Sequence, residues 1–302
     1  MPFLSPSNIP GNFGFRNHII NGDMRIAQRG TSFLGLTAGQ YTLDRWTCTA
    51  SGATMDIAQL DDSDSFKDAG ASGEFYLRYI ASGSADFWSL RQKVENVWTL
   101  ANKTATLSFF MHGDVGLTLQ VAVVQNFDSV EADVTALDQD VTLDGNYTKY
   151  TFTFDVPAVN GKTIGPDSYL DVKFVSETVQ NGTFRLTDVQ LEEGPVATPF
   201  ERRPLAIELP LCYRYYWQGS VNGGGFGRSY GTAGNNLLSG AASFPVTMRG
   251  APAVVALTAG TLQNCTADVV NSDVYGFSQR VVVTANGQFR WYGVTYEADA
   301  EL

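Results

Sequence analysis

Histidine, cysteine and basic residues are scarce in this chain of 302 residues, and each shortage counts against a class of function. The two histidines and three cysteines form no HExxH or CxxC pattern, so zinc enzymes and disulfide-rich scaffolds lack their essential parts. Aspartate and glutamate number 31 against 20 lysines and arginines, and no run of basic residues is present. The net charge of −11 argues against nucleic-acid binding, which requires a positive surface, and against anionic membranes.

Long apolar runs are also missing from the sequence. No stretch is long enough to span a bilayer, so we expect no membrane insertion. The first residues, MPFLSPSNIPGNFGFRN, contain neither a basic region nor a long apolar segment, and we expect no signal peptide. Cys48, Cys212 and Cys265 are widely spaced and odd in number, which indicates buried thiols in a protein made in a reducing cytoplasm.

The abundant pattern is an alternation of apolar and polar residues with a period of two. Each alternating run is short and is bounded by glycine, asparagine, aspartate or proline, as at Asp144-Gly145-Asn146. Many short strands separated in this way predict an antiparallel β-sandwich, so the predicted fold class is all-β. The runs cover residues 107–111, 117–123, 150–154, 169–175 and 183–191, and then 244–248, 253–257, 281–284 and 287–296.

A proline-rich segment at residues 192–204 provides the best domain boundary. Pro195, Pro199 and Pro204 lie close together among charged residues, and such a segment cannot continue a central strand. A short helical turn is expected after Pro204, and Pro210 should end it early. We therefore divide the chain into an N-terminal arm (1–16), a first β module (17–200), a linker with a helical turn (201–216) and a smaller C-terminal β module (217–302).

Several aromatic residues have polar neighbours of the kind that sugars require. Sugars stack their C–H faces on aromatic rings, while their hydroxyls need hydrogen-bonding side chains nearby. Trp88 beside Arg91 and Gln92, with Trp98 beyond, offers that mixture, and so does Tyr76. We name these five as candidate carbohydrate-binding residues, although a tryptophan or tyrosine in a β-sandwich is more often part of the core.

The acidic segment that contains Asp61, Asp62 and Asp64 is a candidate site for a structural Ca²⁺ ion, which prefers several oxygen ligands. It departs from the helical calcium-loop pattern at Phe66, and a solvated loop is the simpler interpretation. No other cofactor is indicated. A glycosidase needs only two suitably spaced carboxylates, so a capsule depolymerase stays an open alternative. No catalytic residue stands out, and we expect a protein that is not an enzyme.

Several segments resemble, in the same order, those of phage and prophage tail-fibre or minor structural proteins of the head or tail spike. Each segment alone is a weak signal, and their combination is more specific. They are residues 21–30 (NGDMRIAQRG), 41–46 (YTLDRW), 188–194 (DVQLEEG), 197–204 (ATPFERRP), 208–209 (EL), 212–216 (CYRYY), 248–252 (MRGAP) and 297–302 (EADAEL).

The resemblance implies a jelly-roll β-sandwich like a carbohydrate-binding domain at 17–200, a smaller C-terminal β-sandwich module, and a homotrimer. It implies a virion protein made in the bacterial cytoplasm, in contact with other virion proteins, which binds host cell-surface polysaccharide without catalysis. A purely structural tail, collar or capsid-vertex component is the alternative. Within these segments Trp46 is the predicted core tryptophan, Asp44 and Arg45 are expected to pair, and the corner at 198–204 is expected to fix the angle between modules.

Overall fold

The computed structural model describes residues 14–37, 39–61, 65–176, 181–220, 227–258, 261–292 and 295–302. Strands dominate within these ranges, and the prediction of an all-β chain is confirmed. The first part of the chain contains β1 (Ser32–Leu36), β2 (Gln40–Tyr41), β3 (Thr47–Asp61), α1 (Ser65–Asp68), β4 (Phe75–Glu95), β5 (Lys103–Gly113), β6 (Thr118–Asn126), β7 (Val134–Thr142), β8 (Thr148–Val156), β9 (Tyr169–Ser176) and β10 (Gly182–Glu193).

These strands form a two-layered β-sandwich in which the long strands β3 and β4 take part in both layers. One edge of β4 pairs with β3, while its other edge pairs with β10 at residues 77–81 and with β9 at residues 88–95. The first layer continues from β9 to β6 and β7, and the second from β10 to β5 and β8. Gly83, with a φ of +108°, lies between the two halves of β4, where glycine allows the strand to bend.

Alternate residues of both layers point into one apolar core. Trp46 is fully buried there, as predicted, with its ring centroid 6.5 Å from that of Phe174. Odd-numbered residues at 105–111 of β5 and even-numbered residues at 150–156 of β8 face the same core. The residues between them face outward, because successive side chains of a strand point to opposite sides of the sheet.

The second part of the chain begins with a helix and continues as three antiparallel sheets. Its elements are α2 (Leu205–Tyr213), β11 (Tyr216–Ser220), β12 (Gly227–Gly231), β13 (Asn236–Ser243), β14 (Ala253–Thr258), β15 (Thr261–Gln263), β16 (Cys265–Ser272), β17 (Gly276–Val283), β18 (Gly287–Tyr292) and β19 (Thr295–Asp299). Three sheets of three strands each, β11-β19-β14, β12-β18-β15 and β13-β17-β16, are described. They pack on two small apolar clusters, one around Trp217 and Phe277 and one around Phe289.

Two local predictions that involve proline are wrong. Residues 244–248 do not form a strand, because Pro245 cannot donate the hydrogen bond that a strand interior needs. Helix α2 passes through Pro210 and ends at Tyr213, since the next turn still closes through the Arg214 N–H, which donates to the Pro210 carbonyl at 3.3 Å. No helix of the described ranges has the length and apolar character needed to cross a membrane.

The two parts meet at a set of buried charged contacts, which we call the junction. Arg45 of the first part pairs with Glu301, and both side chains are almost completely buried. The Arg45 guanidinium lies 3.4 Å from the ring centroid of Tyr215. Arg29 pairs with the same Glu301 at 3.4 Å and lies 3.5 Å from the ring centroid of Tyr216. The guanidinium groups therefore satisfy the buried carboxylate and stack on the neighbouring tyrosines.

The expected pair of Asp44 and Arg45 is not formed, and the 198–204 corner is held by an ion pair of its own. Asp44 does not pair with Arg45, because its carboxylate accepts hydrogen bonds from the backbone N–H of Gln28, at 2.7 Å, and from the Gln28 side chain. At the end of the corner, the Arg203 Nη1 donates to both carboxylate oxygens of Glu208, at 3.1 and 2.9 Å. The limits of the arm, modules and linker themselves remain predictions.

Candidate functional site

Four of the five predicted sugar-binding residues lie on β4, and the strand separates them. Trp88 and Gln92 point inward, as Leu90 does, whereas Arg91 points outward, because neighbouring residues of a strand alternate in direction. Trp88 is fully buried and its ring stacks on that of Tyr79, with centroids 5.0 Å apart. The prediction that Trp88 is a sugar platform is wrong, because the ring belongs to the core.

The polar neighbours of Trp88 do not form a shared site with it. Gln92 is 1% exposed, and its side-chain amide exchanges two hydrogen bonds of 2.8 Å with the backbone of Ile20, so its prediction as a ligand-binding residue is also wrong. Arg91 lies on the outer surface of the first layer, 3.5 Å from Asp171. Trp98 is 56% exposed in the turn that follows β4. Arg91 and Trp98 stay candidates, but they do not lie in one site with the other predicted residues.

Tyr76 lies in a different place, on the outer surface of the second layer, among basic and aromatic side chains. Outward positions of β4, β5, β8 and β10 supply this surface, since their inward neighbours belong to the core. Tyr147, just before β8, closes it at one end. We call this surface the basic–aromatic face, and it consists of Tyr76, Arg78, Phe110, His112, Tyr147, Lys149 and Arg185.

Cross-strand pairing arranges the basic–aromatic face in two parallel rows. In the first row Arg185 lies directly opposite Arg78 on one side and His112 on the other. In the second row Phe110 lies opposite Lys149. Directly opposed residues have Cβ atoms roughly 4.5–5.5 Å apart, so each row is a continuous strip of side chains.

Arg185 is held at the centre of this face by hydrogen bonds. Its Nη1 donates to the Tyr147 hydroxyl oxygen at 2.7 Å and lies 3.4 Å from Nδ1 of His112. Because a guanidinium can only donate, Nδ1 accepts and the proton of the neutral imidazole is on Nε2. Burial and then the charge of Arg185 lower the pKa of His112, which keeps the ring neutral at neutral pH. The imidazole stacks on the Tyr147 ring with centroids 4.1 Å apart.

The aromatic rings of the face have a rigid support beneath them. Phe66 of α1 is fully buried, and its ring contacts Tyr147 edge-on at 4.6 Å between centroids and Tyr76 at 5.6 Å. Such pairs stabilise ring positions beyond simple burial. The two tyrosines of the face are therefore held in place before any ligand arrives.

A hollow of about 380 Å³ adjoins the second row, lined by Ser72, Ser108, Lys149, Asp188 and residues 197–200, among others. Asp188 lies at an irregularity of β10 with a φ of +50°, which is uncommon for any residue but glycine. Its Oδ2 accepts from the Ser72 N–H at 2.6 Å and from the Ser72 hydroxyl at 2.8 Å. Burial raises the pKa of Asp188 despite these bonds. The hollow therefore presents hydroxyl and carboxyl groups of the kind that bind sugar hydroxyls.

The calcium prediction falls largely outside the structure. Asp61 is the exposed last residue of β3, while Asp62 and Asp64 lie outside the described residues. Among the residues that are described, no three histidine, cysteine, aspartate or glutamate side chains are grouped closely enough to hold a metal ion. Calcium binding at 61–64 stays a prediction.

Sequence reasoning missed most of the basic–aromatic face. The alternation that predicts the strands at 107–111 and 183–191 also places His112 and Arg185 on their outward sides, so part of the signal was present. The pairing of Arg185 with Arg78 and His112 joins strands that are far apart in the chain. No local pattern specifies that register.

Comparisons with known proteins give only distant structural likenesses. No protein-family model matches the sequence, and no curated protein matches it either. Among similar solved structures, a CBM4 module has 18% identity and a TM-score of 0.36 over 58% of this chain and 98% of its own. The family 11 carbohydrate-binding module of Clostridium thermocellum, in complex with a β-1,3-1,4-mixed-linked tetrasaccharide, has 11% identity and a TM-score of 0.37. That match covers 56% of this chain and 98% of the module.

The enzymatically active domain of tailspike protein 4 of bacteriophage CBA120 shows 14% identity and a TM-score of 0.37. The match covers 59% of this chain and 21% of the tailspike chain. At these values a likeness identifies neither a ligand nor a partner.

Proposed function

We propose that this chain is a non-catalytic fibre or spike protein of a phage-like particle, which binds host cell-surface polysaccharide through the basic–aromatic face. The observation that carries the proposal is the stacked pair of His112 and Tyr147 beside Arg185. This arrangement joins a flat aromatic surface to a charged donor at its edge. A sugar ring needs the first for its C–H face and the second for its hydroxyls.

The surroundings of that pair support a shallow polymer site. The face lies on the open side of a sheet, and the adjoining hollow supplies Ser72, Ser108 and Asp188 as further hydrogen-bonding groups. Phe66 fixes the rings from below, which lowers the entropy that binding would otherwise cost. Weak single contacts of this type gain strength when a particle carries many copies.

The virion assignment rests on the resemblance of the segments from residue 21 to residue 302, and implies other virion proteins as partners. Synthesis in the bacterial cytoplasm agrees with the three cysteines, which are all free and buried. Burial raises the pKa of the Cys48 thiol to about 12, so this thiol stays protonated and unreactive. Imaging of purified particles with this chain labelled is the direct test of location.

Binding is tested by affinity electrophoresis of the intact chain in gels that contain host polysaccharide. We expect Tyr147→Ala to weaken retention about tenfold, as truncation of an aromatic contact at the centre of an interface does. Tyr169→Ala is the matched control, since Tyr169 is a half-buried tyrosine at the start of β9 in the other layer. Equal retention of Tyr147→Ala and wild type, or no retention of any chain, would contradict the proposed site.

We also propose that the chain assembles as a homotrimer, as the resemblance to phage fibre proteins implies. Light scattering should give three times the mass of one chain, and a monomer at micromolar concentration would exclude the trimer. Incorporation into particles without any polysaccharide binding would favour the purely structural alternative.

A further inference from the structure

We propose that the polysaccharide bound by this chain is acidic, and that Arg78 and Arg185 recognise carboxylate groups on its sugars. This inference rests on the proposed function and specifies its ligand class. It comes from the charges on the basic–aromatic face, which the proposal of sugar binding alone leaves unexplained.

The first observation is that two arginines lie directly opposite each other on neighbouring strands. Arg78 of β4 pairs in register with Arg185 of β10, on the outer surface of the sheet. Like charges in this arrangement repel and destabilise the sheet. An anion placed between or above the two guanidinium groups would remove that repulsion.

The second observation is that no carboxylate lies within ion-pair distance of the cations of this face in the part of the chain that is described. None of the ion pairs found there involves Arg78, Arg185 or Lys149. The chain as a whole carries a net charge of −11, so carboxylates are abundant elsewhere. Three cations on one face that have no ion-pair partner among the described residues mark a surface suited to an anion.

The two arginines differ in how the fold holds them. Arg185 donates to Tyr147 at 2.7 Å, which explains its position. Arg78 is only partly buried, and no side-chain hydrogen bond joins it to another described residue; its Nε, like that of Arg185, has no acceptor there. A structural role therefore accounts for Arg185 better than for Arg78, and a ligand accounts for both.

Three carboxylates lie near the face, and each accepts hydrogen bonds from groups other than the two arginines. Asp188 is bonded to Ser72, and Asp114 accepts from the backbone N–H of Thr183 at 2.8 Å. Asp144 accepts from the backbone and side chain of Asn146. A planar guanidinium matches the two oxygens of a carboxylate in parallel hydrogen bonds. Lys149 in the second row adds a point charge for the next acidic sugar.

The experiment compares acidic polymers with the same polymers after chemical reduction of their carboxylates to hydroxymethyl groups. Affinity electrophoresis of the intact chain is run with polygalacturonate, alginate and hyaluronate in both forms. We expect at least one acidic form to bind about tenfold or more tightly than its reduced form, since hydrogen bonds to charged groups are the strong ones. The difference should shrink as salt is raised.

Two variants locate the effect. Arg78→Gln should lose about tenfold in affinity for the acidic form and change little for the reduced form. Its melting temperature should equal or exceed that of wild type, because the repulsion with Arg185 is removed. Lys173→Gln, which removes one positive charge from β9 in the other layer, should bind like wild type.

The outcomes separate this inference from the function on which it rests. If reduced or neutral polymers bind as well as acidic ones, and Tyr147→Ala weakens them, the face binds sugar but the acidic class is wrong. If acidic polymers bind and Arg78→Gln binds equally well, the acidic site is not at this face. If no polymer of either kind binds, both proposals are wrong.

Discussion

Charged residues behave in opposite ways at the junction and on the basic–aromatic face. At the junction, Arg45 and Arg203 are buried and each is paired with a buried carboxylate, Glu301 or Glu208. On the face, Arg78 and Arg185 lie side by side, partly exposed, without an ion-pair partner among the described residues. Buried pairs are needed for the fold because removal of one partner strands the other charge. Unpaired charges at a surface are free to serve a ligand.

The largest effect should come from breaking a junction pair. Among the described residues, Arg45→Ala leaves the buried Glu301 with Arg29, at 3.4 Å, as its one ion-pair partner, and also removes the contact with Tyr215. We expect a loss of about 3–5 kcal/mol in the free energy of unfolding, measured by urea denaturation. Retention on polysaccharide gels should be unchanged for the folded fraction, because Arg45 is not part of the basic–aromatic face.

A matched control uses an exposed ion pair of the same chain. Lys103 pairs with Glu193 at 3.1 Å, with both side chains more than half exposed. Lys103→Ala should cost less than about 1 kcal/mol. Equal losses in the free energy of unfolding for the two variants would show that burial of the junction charges does not strengthen their contribution to stability.

The segments that resemble those of phage fibre proteins contain the junction residues, whereas most of the basic–aromatic face lies outside them. The resemblance alone does not say which residues of these segments contact each other. The segments that carry the resemblance, including 21–30, 41–46, 197–204 and 297–302, are the ones that meet at the junction. Their charged residues form contacts over more than 180 positions, as between Asn21 and Glu208. The sequence therefore identifies the segments, while the residues that they contact can be identified only from the three-dimensional fold.

The alternation of side chains along a strand predicts several strands of the first part and also the direction of each side chain. Alternation correctly predicted β5, β6, β8, β9 and β10, and it places Trp88 and Leu90 on one side of β4. The grouping of Trp88 with Arg91 as one site was excluded by that same alternation. The opposition of Arg78 and Arg185 could not be predicted, because cross-strand register depends on packing of the complete sandwich.

A prediction of intermediate size concerns Asp23, a buried carboxylate that lies 3.9 Å from Arg202 of the 198–204 corner. Burial raises the pKa of Asp23 from 3.8 to about 6, although Arg25 lies 3.4 Å away. The folded state therefore holds a proton that the unfolded state releases, and stability falls as pH rises from about 4 to about 6. Asp23→Asn should match wild type near pH 4 and exceed it at pH 7, by at most about 3 kcal/mol.

Urea denaturation at several pH values measures this difference, and Asp144→Asn gives a control of opposite sign. Hydrogen bonds from Asn146 lower the pKa of Asp144, so its carboxylate stabilises the fold above the unfolded pKa and loses that effect in acid. Asp144→Asn should therefore become relatively less stable as pH rises. If Asp23→Asn is less stable than wild type at pH 7, the ion pairs of Asp23 outweigh the cost of its burial and this charge is fully compensated.

The smallest expected effect concerns Trp98, an exposed aromatic residue that lies outside the basic–aromatic face. Its ring is 56% exposed, so Trp98→Ala should change the free energy of unfolding by no more than about 0.5 kcal/mol and leave polysaccharide retention intact. Trp88→Ala, by contrast, should cost about 3–5 kcal/mol because it opens a cavity beside Tyr79 and Phe184. A tenfold loss of retention in Trp98→Ala, with stability unchanged, would move the binding site to the turn after β4.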